Sequence, residues 1–192
     1  PGHDDAVAIM LAAANKTIEI LGITCVAGNA TLDNTILNSL KVCSLIERTD
    51  INIYSGADKP LIYDLVTAEH VHGKSGLEIE GSSIEIYNNY KIKKIHAVDF
   101  IIQSCHENIE PIYLCPTGPL TNIALALRKD PTIKNKIKEI VFMGGAGLCL
   151  GNITPSAEFN IYVDPHAANI VLNSEIPLVM MGLDVKHKIN VN

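Results

Sequence analysis

Arginine is scarce in this chain: Arg48 and Arg128 are the only two among 192 residues. All Lys and Arg side chains number 15 against 21 Asp and Glu, a net charge of −6. That balance excludes a binder of phosphate backbones, which needs a concentrated basic face. A Gly-Lys phosphate loop is missing too, which speaks against a hydrolase of phosphate esters. No apolar run approaches the ~18 residues of a membrane span. Nor does a basic segment followed by an apolar one open the chain, as in a secretory signal. These absences predict a cytoplasmic protein with no membrane and no nucleic acid among its partners. Cysteine occurs five times, at Cys25, Cys43, Cys105, Cys115 and Cys149, never as C-x-x-C. An odd, scattered set excludes a disulfide framework and a zinc knuckle. The first four sit among apolar neighbours and read as small core residues. Cys149, in a glycine-rich loop, is the one candidate for a reactive thiol, but no partner base can be named for it.

What the chain does contain is apolar material, 47% of residues against 19% charged. That suffices for a sizeable core and is too little charge for a disordered segment. Strand and helix signals alternate along it. Asp4 or Asp5 is expected to cap a helix through Ala6–Asn15. Ile18–Ala27 is β-branched and nearly all apolar, the pattern of a strand buried on both faces. A helix is expected over Thr31–Arg48, a strand over Ile51–Tyr54, and a long loop region from Lys59 to Lys94. Further on come a helix near Ile95–Glu107, a strand at Ile112–Cys115 and a helix near Leu120–Lys129. Ile140–Met143 reads as a strand, Asp164-Pro165 as the start of a helix, and Leu178–Met181 as the last strand. The alternation predicts an α/β protein with an open, mostly parallel sheet and helices on both faces.

In such sheets ligands bind beyond the carboxyl ends of the strands. Four segments there carry unusual chemistry: PGHDD at the start, Val26–Asn29, Pro116–Asn122, and the stretch from Met143 through Gly151-Asn152 to Glu158-Phe159-Asn160. They supply carboxylates, carboxamides and loop carbonyls. Oxygen donors of this kind favour a hard cation and a hydroxylated small molecule. At Asp4-Asp5 two readings stand. One is a favourable contact with the helix dipole; the other is a cation that relieves the repulsion of adjacent acids.

The same segments resemble the inosine–uridine-type nucleoside hydrolases. PGHDDAVAIMLAA is similar to the family's N-terminal signature, D-x-D-P-G-x-D-D. LGITCVAGNATLDNT, HGKSGL, PTGPLTNIALAL, IVFMGGA and GNITPSAEFNIYVDPHAA follow in family order, so the likeness covers essentially the whole chain. The resemblance implies Ca²⁺-dependent hydrolysis of the N-ribosidic bond of ribonucleosides, in nucleoside salvage, by a homo-oligomer (dimer or tetramer). Asp5 then resembles the carboxylate that binds Ca²⁺, and Thr117 the residue that offers its main-chain carbonyl to the same ion. Asp4 matches the acid on the ribose 2′-hydroxyl. Asn29, Asn152, Glu158 and Asn160 match the residues that hold the ribose hydroxyls. Met143 packs near the sugar, and His72 lies near the base.

Two departures accompany the likeness. The family motif places an aspartate, general base and calcium ligand, just before the position of Pro1. The family also carries a later His-Asp pair, with a further ligand and the leaving-group acid. The chain is therefore expected to be a single but incomplete hydrolase-like domain over 1–192, lacking the first strand and the C-terminal part, and inactive alone. The catalytic proton-transfer groups are expected outside it. The alternative is a non-catalytic nucleoside- or ribose-binding protein. Each residue also has a plainer explanation. Asn29 and Asn152 follow glycines and suit turns, Asp164 suits a helix cap, and Asp184 merely follows a strand. Glu158 and Asn160 flank apolar Phe159, and polar groups there need partners.

Overall fold

The computed structural model describes residues 1–68, 73, 75–77, 86, 90, 92–186 and 188. The chain divides into two compact units, Pro1–Asp58 with Val66–Phe100, and Lys59–Leu65 with Ile101–Asn192.

In the first unit, helix α1 (His3–Ala14) starts three residues before the expected Ala6, with Gly2 at its N-cap. Asp4 and Asp5 are therefore first-turn residues rather than caps. Their charge meets the positive end of the helix dipole, and Asp5 Oδ2 accepts the Gly2 N–H at 2.8 Å. Strand β1 (Ile23–Thr24) and strand β2 (Ile53–Tyr54) pair in parallel, Ile23 against Ile53. The expected strand Ile18–Ala27 is thus short as a ladder. Its hydrogen bonds nonetheless continue at every second residue, from Cys25 N–H to Tyr54 O and from Ala27 N–H to Ala57 O. Just before Ile23, Gly22 leaves no room for a Cβ, which would stand 2.7 Å from the Tyr54 ring and 2.9 Å from the Phe100 ring, two rings stacked 3.7 Å between centroids. Helix α2 (Leu32–Leu45) turns Ile36, Leu40 and Cys43 onto one buried side. There they join Cys25, Ile51 and Ile53 in a core that Ile9 and Ala13 of α1 also touch.

Helix α3 (Ala97–Glu107) begins in the first unit and ends in the second. Strands β3 (Ile112–Leu114), β4 (Ile137–Met143) and β5 (Leu178–Met181) follow, ordered β3-β4-β5 and all parallel. Helix α4 (Thr121–Lys129) packs against helix α6 (Pro165–Leu172). Three elements have no counterpart in the sequence reading: a 3₁₀ turn at Pro131–Lys136, helix α5 (Phe159–Val163) and helix α7 (Leu183–Lys186). All are one or two turns long, too short for an apolar period to show.

The α/β class and the parallel pairing stand as expected. Among the described residues the parallel ladders are β1-β2 in the first unit and β3-β4-β5 in the second. Cys25, Cys43 and Cys105 are buried, and burial pushes the Cys105 thiol up to about 11. Cys115 is a correction, being exposed. It follows β3, an outer strand of its sheet, where Tyr113 is also exposed. Met180 and Met181 on the other outer strand are exposed for the same reason. No helix among the described residues is long and apolar enough to cross a membrane.

Candidate active site

The expected site residues fall into two sets, each within one unit. Asp4, Asp5 and Asn29 belong to the first unit, and Thr117, Met143, Asn152, Glu158 and Asn160 to the second. His72, and His70 beside it, lie outside the described residues.

In the first set, the exposed Asp4 and half-buried Asp5 are presented by the opening turn of α1. Asn29 follows β1, and its main-chain carbonyl accepts the Ala68 N–H at 2.9 Å. The backbone of the Asn29 turn is thereby fixed from a distant part of the chain, a constraint that no local turn preference supplies.

The second set is tied together by hydrogen bonds. Met143 ends β4, and its N–H donates to Pro116 O at 3.0 Å, which carries the β3–β4 ladder as far as Pro116. Thr117, exposed, is the next residue. Asn160 Nδ2 donates to Thr117 O and to Met143 O, each at 3.1 Å, and touches Met143 Sδ at 3.3 Å. Glu158 caps α5: its Oε2 accepts the Ile161 N–H at 3.2 Å and the Gly145 N–H at 3.1 Å. Gly145 takes φ +84°, the left-handed region open to glycine, and Met180 Sδ would stand 2.7 Å from any Cβ there. Asn152 Oδ1 accepts the Phe159 N–H at 2.9 Å. Glu158, Phe159 and Asn160 are all buried, while Asn152 is exposed. The two polar side chains flanking Phe159 thus have the partners that their burial demands.

The donor chemistry fits a hard cation. Asp5 in the first unit offers a carboxylate, and Thr117 in the second a main-chain carbonyl that accepts one hydrogen bond and keeps a second lone pair; each taken by itself is an oxygen donor that suits a hard cation. Among the described residues no three His, Cys, Asp or Glu side chains group to hold a metal.

Family membership follows from the same segments. The sequence matches the inosine-uridine preferring nucleoside hydrolases over residues 1–192. The chain belongs to this family. It is 50% identical to an uncharacterized protein of Schizosaccharomyces pombe over 99% of this chain and 61% of that one. It is 48% identical to the pyrimidine-specific ribonucleoside hydrolase RihA of Escherichia coli, over 100% of this chain and 60% of the enzyme. Among solved structures, the purine-preferring ribonucleoside hydrolase from Gardnerella vaginalis superposes with a TM-score of 0.93 at 35% identity, covering 100% of this chain and 61% of that one. The chain therefore spans about three fifths of the length of these relatives.

Two residues of this nucleoside hydrolase chain escape a reading of sequence alone. Gly145 serves Glu158 through its N–H, and the Gly144-Gly145 pair after a strand was the available signal. Thr121 donates its hydroxyl to Asp164 Oδ2 at 2.7 Å. No local pattern points to that bond.

Proposed function

We propose that the whole protein hydrolyses the N-ribosidic bond of ribonucleosides to ribose and free base, with Ca²⁺ as cofactor. The observation that carries the reading is the buried Glu158–Asn160 pair beside the carboxyl ends of β3 and β4, in a chain of the nucleoside hydrolase family. One relative is named pyrimidine-specific and another purine-preferring. What such substrates share is the ribose, so the sugar is the part this chain is proposed to grip.

Cleavage of an N-ribosidic bond develops oxocarbenium character in the sugar, and an enzyme gains rate by binding that state more tightly than the ground state. Asp4 takes the 2′-hydroxyl; Asn29, Asn152, Glu158 and Asn160 hold the hydroxyls; Met143 packs near the ring; His72 stands near the base. Carboxylates and amide oxygens accept from hydroxyls, and the negative charge of the carboxylates favours a sugar that is turning cationic. Asp5 and the Thr117 carbonyl serve as Ca²⁺ ligands. What the ion supplies when bound is orientation and a lowered pKa for a water molecule. The protein is proposed to act in the cytoplasm as a homo-oligomer, dimer or tetramer.

Steady-state kinetics on inosine and uridine, with and without a chelator, test this reading. Turnover that disappears with the chelator and returns with Ca²⁺ is the expected result. Tight binding of ribonucleosides with no turnover by the whole protein would mark a ribose-binding protein instead.

A further inference from the structure

We infer that Asn160 is a positioning residue, whose side-chain amide sets the direction of the Thr117 carbonyl and holds Met143 beside it. The inference rests on the proposed function only where Thr117 is taken as a Ca²⁺ ligand. The ladder between β3 and β4 ends with the bond from Met143 N–H to Pro116 O. Thr117 is the first residue past that bond, in a turn between Pro116 and Pro119 that the strands no longer hold. Asn160 extends the tie by one residue, with Nδ2 3.1 Å from Thr117 O and 3.1 Å from Met143 O. Its third contact, Met143 Sδ at 3.3 Å, orients the thioether as well.

An amide group has two N–H bonds, so three acceptors share them and the donor edge is spent on protein. The Oδ1 edge is then the one to which a ligand hydroxyl can donate. Asn160 is only 6% exposed, and a carbonyl deprived of its partner in such a place costs free energy. The amide is itself held from behind. Asn152 fixes the Phe159 N–H, and Glu158 fixes the N–H groups of Ile161 and Gly145. One side chain thus links a strand-end carbonyl, a strand-end thioether and a ligand-facing acceptor. Sugar grip and carbonyl direction depend on the same rotamer.

The test uses Asn160→Asp, nearly isosteric but without the N–H donors, Asn160→Ala, and Asn160→Gln, which keeps the amide. Two measurements are made on each folded protein. One is the NMR resonances of the Thr117 carbonyl carbon and the Met143 methyl carbon in calcium-free buffer. The other is Ca²⁺ affinity by titration calorimetry. Both resonances should move in the Asp and Ala variants, Ca²⁺ should bind about 10–100-fold more weakly to the uncharged Ala variant, as when an outer-shell partner is lost, and Gln should recover part of both. Unmoved Thr117 and Met143 resonances would overturn the inference; moved resonances with wild-type Ca²⁺ affinity would count against Thr117 as a ligand, and so against the proposed function. A wild-type protein that binds no Ca²⁺ would count against the proposed function instead, and the resonances would still decide whether the amide positions these groups.

Discussion

The carboxylate of Asp164 is 1% exposed and meets three donors: Ala167 N–H on Oδ1, and Thr121 Oγ and Leu61 N–H on Oδ2, at 2.9, 2.7 and 2.9 Å. The Asp-Pro pair made its capping role legible, because Pro at the first helical position and Asp before it are a local signal. The partners on Oδ2 were not legible, since they lie 43 and 103 residues away. Asp164→Asn would set an amide N–H₂ against the Leu61 N–H or lose the cap, at a cost of about 1–3 kcal/mol. The expected outcome is a lower urea midpoint with an unchanged slope, measured by equilibrium unfolding. His106 and Asp130 make a second residue-level case. His106 Nε2 lies 2.7 Å from Asp130 Oδ2 and, with Thr132, holds that carboxyl down to about 2. A carboxylate depressed in the folded state contributes stability above its ordinary pKa and loses it as pH falls through the folded value. The difference in Tm between wild type and His106→Gln should therefore shrink between about pH 4 and pH 2. A difference that stays constant across that range would show that the pair does not titrate with folding.

At the scale of elements, the turn from Gly151 to Ala157 decides where Asn152 and Glu158 stand. Gly151 N–H donates to Pro155 O at 3.0 Å and Asn152 N–H to Ala157 O at 3.1 Å, so the chain folds back on itself at once. A Cβ on Gly151 would collide with the Ala157 nitrogen and oxygen and the Thr154 oxygen, all backbone atoms that cannot step aside. Gly151→Ala should therefore cost at least the ~1–3 kcal/mol of an overpacked site. It should also lower kcat/KM for ribonucleosides in the whole protein, because α5 starts from this turn. A variant with wild-type Tm and kinetics would show that the turn relaxes elsewhere. The sequence marked this stretch as polar and glycine-containing, but α5 itself, five residues at Phe159–Val163, was invisible. A helix that short has no room for a 3.6-residue period, and its start is imposed by Glu158 and Asn152 rather than by propensity.

For the whole molecule, the ribose is the feature on which the proposed activity turns. A site built to pair with hydroxyls leaves its own polar groups unpaired when a hydroxyl is missing, which can amount to ~10⁴-fold discrimination. In the whole protein, Asp4→Ala should lower kcat/KM for inosine and uridine far more than for their 2′-deoxy forms. Steady-state kinetics on the four substrates would show it. Equal losses on all four would mean that Asp4 does not read the 2′-hydroxyl.

The sequence by itself determined the α/β class, the parallel strands and the family. Each depends on order along the chain: apolar runs alternating with helical stretches, and a set of segments matched from Pro1 to Asn192. It also named the polar groups at the strand ends, because those residues sit next to recognisable strands. Only the tertiary structure decided what these groups bond to. Asn160 spends its amide on Thr117 and Met143, and Glu158 reaches back to Gly145. The physical reason is that a hydrogen bond is satisfied by whichever partner packing brings within about 3 Å. For Asn160 and Thr117 that partner lies 43 residues away along the chain, a separation to which no local periodicity or propensity refers.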